Sequence, residues 1–238
     1  MVDIDEVKAS DNYRWLFSNN YRKCHMLTLI GDAHGHYKQH LDIIKNAEYS
    51  LQIGDCGFRY DYLKDVDPER HKLFGGNHDD YNLISNCPHN LGDFGQVELG
   101  GISFFYMRGG FSIDRKYRTI GIDWWAEEEL SREKMEEAIE LYEQVRPEIV
   151  IAHECPRQIA NLVGNPNVLR EFGFDPNTFT TRTSETLQIM FEKHAPHEFI
   201  FGHFHKSWTK VITGLSFGMP SDTNFRCLNE LETYILDE

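Results

Sequence analysis

The sequence predicts an α/β or α+β sandwich, because short apolar runs alternate along the chain with segments of helical periodicity. The run at Met26–Ile30 has the length and composition of a buried strand. Tyr37, Leu41 and Ile44 follow it at the spacing of one helix face. A strand followed by a helix is the repeating unit of such layered folds, and the same alternation recurs further along the sequence.

More apolar runs of strand length follow. Strands are predicted at Leu51–Ile53, Lys72–Phe74, Ile149–Ala152 and Phe199–Phe201. Gly100 and Gly101 separate the apolar segments Val97–Leu99 and Ile102–Tyr106. Two such segments joined by glycines are typical of a β-hairpin. The last part of the chain, from Lys210 to Ile235, is expected to form further strands and turns.

The longest predicted helix covers Glu127–Val145, with Glu127–Glu129 as its solvated first turn and Pro147 just beyond its end. Its apolar stripe consists of Met135, Ala138, Ile139, Tyr142 and Val145. The segment Asn161–Phe179 is rich in turn residues and is expected to be a loop or a small insertion. A second amphipathic helix is predicted from the spacing of Leu187, Met190, Phe191 and His194.

Composition excludes several classes of function. The formal net charge of −14 repels long polyanions, so non-specific binding of nucleic acid is not expected. No stretch approaches the roughly 20 apolar residues of a membrane span. The five cysteines are odd in number and lack C-x-x-C spacing, which predicts free thiols and a cytoplasmic protein. Residues 1–25 are expected to form a polar leader without the features of a signal peptide.

Five of the predicted strands run directly into residues that commonly bind metals. Glycines in most of these clusters let the chain turn sharply where the strand ends. The clusters are Gly31-Asp32-Ala33-His34-Gly35, Gly54-Asp55, Gly76-Asn77-His78-Asp79, His153, and Gly202-His203-Phe204-His205.

The spacing within these clusters is suited to divalent cations. Asp32 and His34 lie two residues apart, so on an extended segment they point the same way and can hold one cation. His203 and His205 are spaced likewise. Asp55 is a carboxylate, the side chain best able to bridge two cations. Two cations balanced by two carboxylates and a bridging hydroxide keep a positive charge that suits a phosphate.

The combined motifs, from Asp32 to His205, resemble those of the calcineurin-like metallophosphoesterase family. This resemblance implies an α/β fold, a four-layer αββα sandwich of two mainly mixed sheets flanked by helices, with one domain over residues 26–238. It implies one metal held by Asp32, His34, Asp55 and His205. The other metal would be held by Asp55, Asn77, His153 and His203.

The resemblance also implies a catalytic role for His78, which in the family protonates or stabilises the leaving-group oxygen as a general acid. Asp79 is a candidate to orient its ring. The sequence departs from the serine/threonine protein phosphatases at Phe58, where those enzymes carry a second acid. Arg59 remains and is a candidate phosphate ligand, with an ordinary surface arginine as the alternative.

The segment from Arg108 to Trp125 is a candidate wall for substrate recognition. Arg108 and Arg118 are the expected phosphate ligands, since guanidinium groups bind phosphate in a fork. Trp124 and Trp125 are candidates to stack on a base. The alternative is that these tryptophans pack under the following helix while the basic residues remain solvated.

The sequence therefore predicts a metal-dependent hydrolase that cleaves a phosphate mono- or diester with a metal-bridging hydroxide. Mn²⁺ is the favoured metal, with Fe, Zn²⁺ and Ni²⁺ as alternatives for these mixed ligands. The expected partner is a small phosphorylated substrate, and a nucleotide is favoured among those. The alternatives are a protein serine/threonine-type phosphatase and a non-catalytic interaction module on the same fold.

Overall fold

The computed structural model describes residues 26–213 and 222–237, so the predicted polar leader at residues 1–25 lies outside the described residues. Among the described residues, no helix is long and apolar enough to cross a membrane. The strands are β1 (Leu27–Ile30), β2 (Tyr49–Gln52), β3 (His71–Leu73), β4 (Phe94–Leu99), β5 (Ile102–Met107), β6 (Ile149–Ala152), β7 (Glu198–Phe201), β8 (Trp208–Ile212), β9 (Thr223–Cys227) and β10 (Thr233–Leu236).

These strands form two mixed sheets, as predicted. The smaller sheet has the order β10–β1–β2–β3, in which β1, β2 and β3 are parallel and β10 is antiparallel to β1. The larger sheet has the order β4–β5–β6–β7–β9–β8. Its four central strands are parallel, and each edge strand is antiparallel to its neighbour. The predicted hairpin is confirmed as the pair β4 and β5.

The helices are α1 (Tyr37–Asn46), α2 (Tyr81–Ile84), α3 (Arg132–Val145), α4 (Arg157–Val163), α5 (Pro166–Glu171) and α6 (Arg182–Lys193). Short 3-10 turns occur at Asp61–Leu63, Arg115–Tyr117 and Ala126–Glu128. The prediction that α3 begins at Glu127 is wrong, because Ser131 caps the helix through the backbone N–H of Lys134. Glu128 and Glu129 precede the cap and are buried, not solvated.

The alternation of β5 shows how the layers form, because successive residues of a strand face opposite sides of the sheet. Phe104 and Tyr106 are buried in an apolar cluster between the two sheets, together with Leu29 of β1. Phe105 and Met107 belong to a second cluster on the opposite face. Each fully buried phenylalanine stabilises the fold by about 1.5–3 kcal/mol.

Helices cover the outer face of each sheet. Tyr142 of α3 and Leu187 of α6 pack on the outer face of the larger sheet, where the ring of Phe105 lies 5.2 Å from that of Tyr142. Ile44 of α1 packs with Ile30 on the outer face of the smaller sheet. The order of layers is therefore helix, sheet, sheet and helix, which confirms the predicted four-layer sandwich.

The parallel strands explain where the polar loops meet. Strands of the same direction place their carboxyl ends at one edge of a sheet, and ligands commonly bind beyond that edge. The strands β1, β2 and β3 end at one edge of the smaller sheet, and β6 and β7 end at one edge of the larger sheet. The two edges adjoin, so the residues that follow these five strands meet in space.

Candidate metal centre

Both sheets contribute side chains to one polar cluster. The smaller sheet supplies Asp32 and His34 after β1, Asp55 after β2, and Asn77 and His78 after β3. The larger sheet supplies His153 after β6, and His203 and His205 after β7. The structure brings together all the residues predicted to hold metals.

The first group consists of Asp32, His34, Asp55 and His205, and their candidate ligand atoms all lie within 4.8 Å of one another. Nε2 of His34 lies 2.9 Å from Nε2 of His205. Nε2 of His205 lies 3.4 Å from Oδ2 of Asp32. Two imidazoles and two carboxylates thus point toward one common volume.

The second group contains Asp55, His153 and His203, and it meets the same distance limit. Asn77 completes it, because its Oδ1 lies 3.1 Å from Nε2 of His153 and 2.8 Å from Nδ1 of His203. Nε2 of His153 lies 3.2 Å from Oδ1 of Asp55. Asp55 therefore belongs to both groups, as expected of a bridging carboxylate.

The carboxylate of Asp55 tests whether these groups fit a pair of cations. Its Oδ1 accepts a hydrogen bond of 2.7 Å from the backbone N–H of His78. Its Oδ2 is buried without a hydrogen-bond partner. Leaving a buried carboxylate oxygen unpaired is costly, and a cation would satisfy it. The donors are imidazole, carboxylate and amide groups, which suit divalent transition metals.

Burial favours the neutral imidazoles that metals require. It lowers the pKa of His34 to about 4 and that of His203 to about 3. Burial also opposes charge on His153, but the nearby carboxylates of Asp55 and Asp32 outweigh it and raise the pKa of His153 to about 10. A cation bound to the same carboxylates would favour neutral His153, so metal binding would release this proton.

The backbone is left-handed at four of the seven candidate ligands. The φ angles are positive at His34 (43°), Asp55 (55°), His203 (68°) and His205 (51°). The interpretation that paired ligands lie on extended segments is therefore wrong, because the chain turns at these residues, although Asp32 and His34 still belong to one group as predicted. As a result, His203 and His205 contribute to different groups and not to one cation. Each such non-glycine residue costs about 1–3 kcal/mol, which the surrounding structure must offset.

Glycine is required where the loops pass closest to the carboxylates. A Cβ atom on Gly202 would collide with Oδ1 of Asp32. A Cβ atom on Gly76 would collide with Oδ1 of Asp55. The glycines in these clusters therefore allow close approach between loops, in addition to permitting sharp turns.

A chain of hydrogen bonds supports Asn77 from behind. Nδ2 of Asn77 donates to Oγ of Ser112 over 3.1 Å, and Ser112 donates from Oγ to Oε2 of Glu128 over 2.6 Å. Glu128 also accepts from the backbone N–H of Ser112. This arrangement fixes which side of the amide faces the histidines. The sequence did not predict this role for Glu128, because Glu127–Glu129 was interpreted as a solvated first helical turn.

His78 lies beside the first group, with its ring centroid 4.9 Å from that of His34. Nη2 of Arg118 lies 3.0 Å from Nδ1 and 2.9 Å from Nε2 of His78. A nitrogen that close to both ring atoms must lie over the ring face. The carboxylate of Asp114 holds Arg118 in a fork at 2.7 and 2.8 Å. Burial lowers the pKa of His78, and Arg118 adds to that effect.

The other predicted substrate-binding arginines are placed elsewhere. Arg59 is largely exposed and paired with Asp61 at 2.9 Å. Arg108 donates to Asp93 over 2.7 Å and lies over the ring of Tyr81.

The surroundings of Asp79 and Trp125 differ from the roles for which the two residues were candidates. Asp79 is not hydrogen-bonded to His78 among the described contacts, and it accepts from Tyr60 and the backbone of Gly57 and Gly76. Trp125 is buried against Phe58, in line with the alternative of tryptophan packing.

A cavity of about 470 Å³ opens directly from the polar cluster. Asp55, Asn77, His78, His203 and His205 line its inner end. The segment from Arg108 to Trp125 contributes Phe111, Ile113 and Asp114 to its wall. The three arginines predicted to bind substrate and both tryptophans are not among the described residues that line it, namely Arg59, Arg108, Arg118, Trp124 and Trp125.

Comparisons with solved structures assign the fold. A phosphopantetheinyl hydrolase from Mycobacterium tuberculosis is 13% identical, with 90% of this chain and 96% of that chain covered and a TM-score of 0.50. A dimetal phosphatase from Danio rerio is 11% identical, covering 87% and 88% of the two chains with a TM-score of 0.47. An archaeal phosphodiesterase is 12% identical, covering 90% and 99% with a TM-score of 0.36.

No family model matches the sequence, and no curated protein matches it either. The solved structures named above are calcineurin-like metallophosphoesterases. This chain shares its fold with the phosphopantetheinyl hydrolase, which is the comparison that carries the assignment.

Proposed function

We propose that this chain is a metal-dependent phosphoesterase that hydrolyses a phosphate mono- or diester. The observation that carries the proposal is the pair of ligand groups that share Asp55 at the inner end of one cavity. The unpartnered Oδ2 of that carboxylate supports the same conclusion. The phosphopantetheinyl hydrolase that shares this fold also favours this reaction class for the site.

Two cations would be held by the groups that contain Asp32 and Asn77, respectively, with Asp55 between them. When bound, they would lower the pKa of a water ligand and offset the charge of the phosphate. We favour Mn²⁺, because the donors combine imidazole nitrogen with carboxylate and amide oxygen. The neutral imidazoles of His34 and His203 are ready to bind metal without losing a proton.

His78 is proposed as the general acid. Its backbone N–H is fixed on Asp55, so its ring lies beside the first ligand group and on the cavity wall. From that position it would give a proton to the departing oxygen of the substrate. Arg118 lies against the ring of His78. Of the three arginines predicted to bind the phosphate, it is the one in contact with His78, and we propose it as the phosphate ligand.

We also propose a cytoplasmic location and a small phosphorylated substrate. The four cysteines in the described part of the chain are all free thiols. The expected preference for nucleotides drew its main support from the segment from Arg108 to Trp125, whose residues Arg108, Arg118, Trp124 and Trp125 do not line the described cavity.

The test is activity and metal content of the same preparation. Protein stripped by a chelator and reloaded with Mn²⁺ is expected to bind two ions per chain and to hydrolyse bis(4-nitrophenyl) phosphate or 4-nitrophenyl phosphate. Asp55→Asn is expected to lower both metal content and activity, whereas the exposed Asp65→Asn serves as a control and leaves both unchanged. One ion at saturation in active protein would contradict the dinuclear centre. Full metal content without hydrolysis would favour the non-catalytic alternative.

A further inference from the structure

The cavity has apolar lining in addition to the candidate metal ligands. One part of its wall is apolar and aromatic, and it consists of Phe111, Ile113, Val168, Leu169, Phe172 and Phe179. These six side chains are all half-buried, and none belongs to a hydrophobic cluster of the described core. Apolar side chains that line a cavity without packing into the core are typical of a ligand site.

The helix α5 presents part of this wall and has no buried residue of its own. Contacts at Phe172, which follows α5, and between the rings beside it support this wall. Nζ of Lys116 donates to the carbonyl oxygen of Phe172 over 2.9 Å, and the ring of Tyr117 lies 6.2 Å from that of Phe172. The ring of Phe111 lies 5.8 Å from that of Phe179. The apolar wall is thus formed before any ligand arrives.

The charged side chains near this wall are already paired, whereas Asn161 lines the cavity with no hydrogen bond described for its side chain. Glu154 accepts from Thr181 through both of its oxygens, at 2.8 and 3.0 Å. Arg157 pairs with Glu185 at 3.0 Å, and Lys206 donates to a backbone carbonyl. A nucleobase buried here would find few free hydrogen-bond partners, and a buried polar group without partners is unfavourable.

We propose that this apolar chamber binds an extended alkyl group on the phosphate ester, so that the substrate is a phosphoester with a long apolar arm. The proposal rests on the proposed function, because the phosphate would lie at the ligand groups while the arm fills the chamber. The cavity of about 470 Å³ falls within the usual range of small-molecule sites, roughly 300–1,000 Å³. It is continuous from Asp55 to Phe172, so one molecule reaches both regions.

The first experiment varies only the arm. The Mn²⁺-loaded protein is assayed with the methyl, butyl and octyl esters of 4-nitrophenyl phosphate and with the thymidine ester, all of which release the same leaving group. We expect kcat/KM to rise by about tenfold or more from methyl to octyl, since each buried methylene favours binding. Equal values along the series, or a thymidine ester preferred over octyl, would overturn the proposal.

A matched pair of variants locates the effect. Leu169→Asn places an amide on the chamber wall and is expected to reduce the octyl-to-methyl ratio of kcat/KM by about tenfold. Leu162→Asn makes the same change on the neighbouring helix α4, where Leu162 is exposed and does not line the cavity. It is expected to leave the ratio unchanged. An equal fall in both variants, or in neither, would overturn the assignment to this chamber.

A binding measurement separates this proposal from the hydrolase proposal. Calorimetry in the presence of Mn²⁺ is expected to give a Kd for octylphosphonate at least about tenfold below that for methylphosphonate, with the difference lost in Leu169→Asn. If that result is obtained without hydrolysis of any ester, the hydrolase proposal fails and the apolar site stands. If octylphosphonate binds no better than methylphosphonate, the apolar site fails whether or not the esters are cleaved.

Discussion

At the residue scale, hydrogen bonding determines which atom of the Asn77 amide faces the second group. An amide can present either its oxygen or its nitrogen to the two histidines of the second group. Ser112 accepts from the nitrogen, so the oxygen is the atom that faces His153 and His203. Such supporting bonds commonly govern metal affinity as strongly as some ligands do.

Removal of the Ser112 hydroxyl tests this role. Ser112→Ala is expected to weaken the ion of the second group by about 10–100-fold and to leave the ion of the first group nearly unchanged. Titration of the stripped protein with Mn²⁺ separates the two affinities. Ser85→Ala, an exposed serine on another loop, is the control. Equal weakening of both ions would mean that the variant acts through general destabilisation.

His78 gives a second test at this scale. His78→Ala is expected to keep both ions and to lower kcat by roughly 10²–10⁴-fold for esters with poor leaving groups. The loss should shrink for 4-nitrophenyl esters, because nitrophenolate departs with little need of a proton. An equal loss for alkyl and nitrophenyl leaving groups would exclude the general-acid role.

The clustering of the candidate ligands was predictable because each follows an apolar run of strand length and most lie beside a glycine. That signal is local in the sequence. The role of Glu128 was not predictable, because its partner Ser112 is 16 residues away and the pair meets only after folding. The same holds for Arg118, which lies 40 residues from His78. The sequence showed a basic segment but not which of its arginines reaches the site.

At the scale of elements, Ser131 caps the N-terminus of α3. Oγ of Ser131 accepts from the backbone N–H of Lys134 at 3.3 Å and so satisfies one free donor of the first turn. Ser131→Ala is expected to lower the free energy of unfolding by about 1 kcal/mol, whereas Ser131→Asp should retain it. Urea unfolding followed by circular dichroism measures both. Loss in both variants would argue against a capping role.

Element boundaries were predicted less well than element types. Periodicity extended α3 back to Glu127, since three consecutive glutamates fit a helical first turn, but the chain there forms a 3-10 turn that buries Glu128. The segment Asn161–Phe179 was expected to be a loop or insertion, and it contains the end of α4 and all of α5. Helices of six or seven residues are too short to establish a periodic pattern.

At the scale of the whole molecule, the candidate metal centre joins the two sheets. The first group combines Asp32 from the smaller sheet with His205 from the larger, and the second combines Asn77 with His153. Ions bound there would connect the two halves of the sandwich. Anything that binds the folded state alone also stabilises it.

This connection predicts a thermal shift. At a free Mn²⁺ concentration of about 100 times Kd, the stabilisation is about 2.7 kcal/mol. For a chain of this size that corresponds to a rise in Tm of roughly 5–10 °C. Differential scanning calorimetry with Mn²⁺ and with a chelator measures it, and Asp55→Asn is expected to remove most of the shift. A Tm that does not respond to Mn²⁺ in the unaltered protein would contradict a centre that joins the sheets.

The left-handed backbone at His34, Asp55, His203 and His205 also limits which residues can replace them during evolution. Glycine, asparagine, aspartate and histidine enter that region of backbone space more readily than other residues, and β-branched residues almost never do. A lineage released from selection for catalysis would therefore accumulate asparagine or glycine at these positions first. Its loops would keep their shape long after the imidazoles and carboxylates were gone, so an inactive relative is expected to be recognisable by its side chains and not by its backbone.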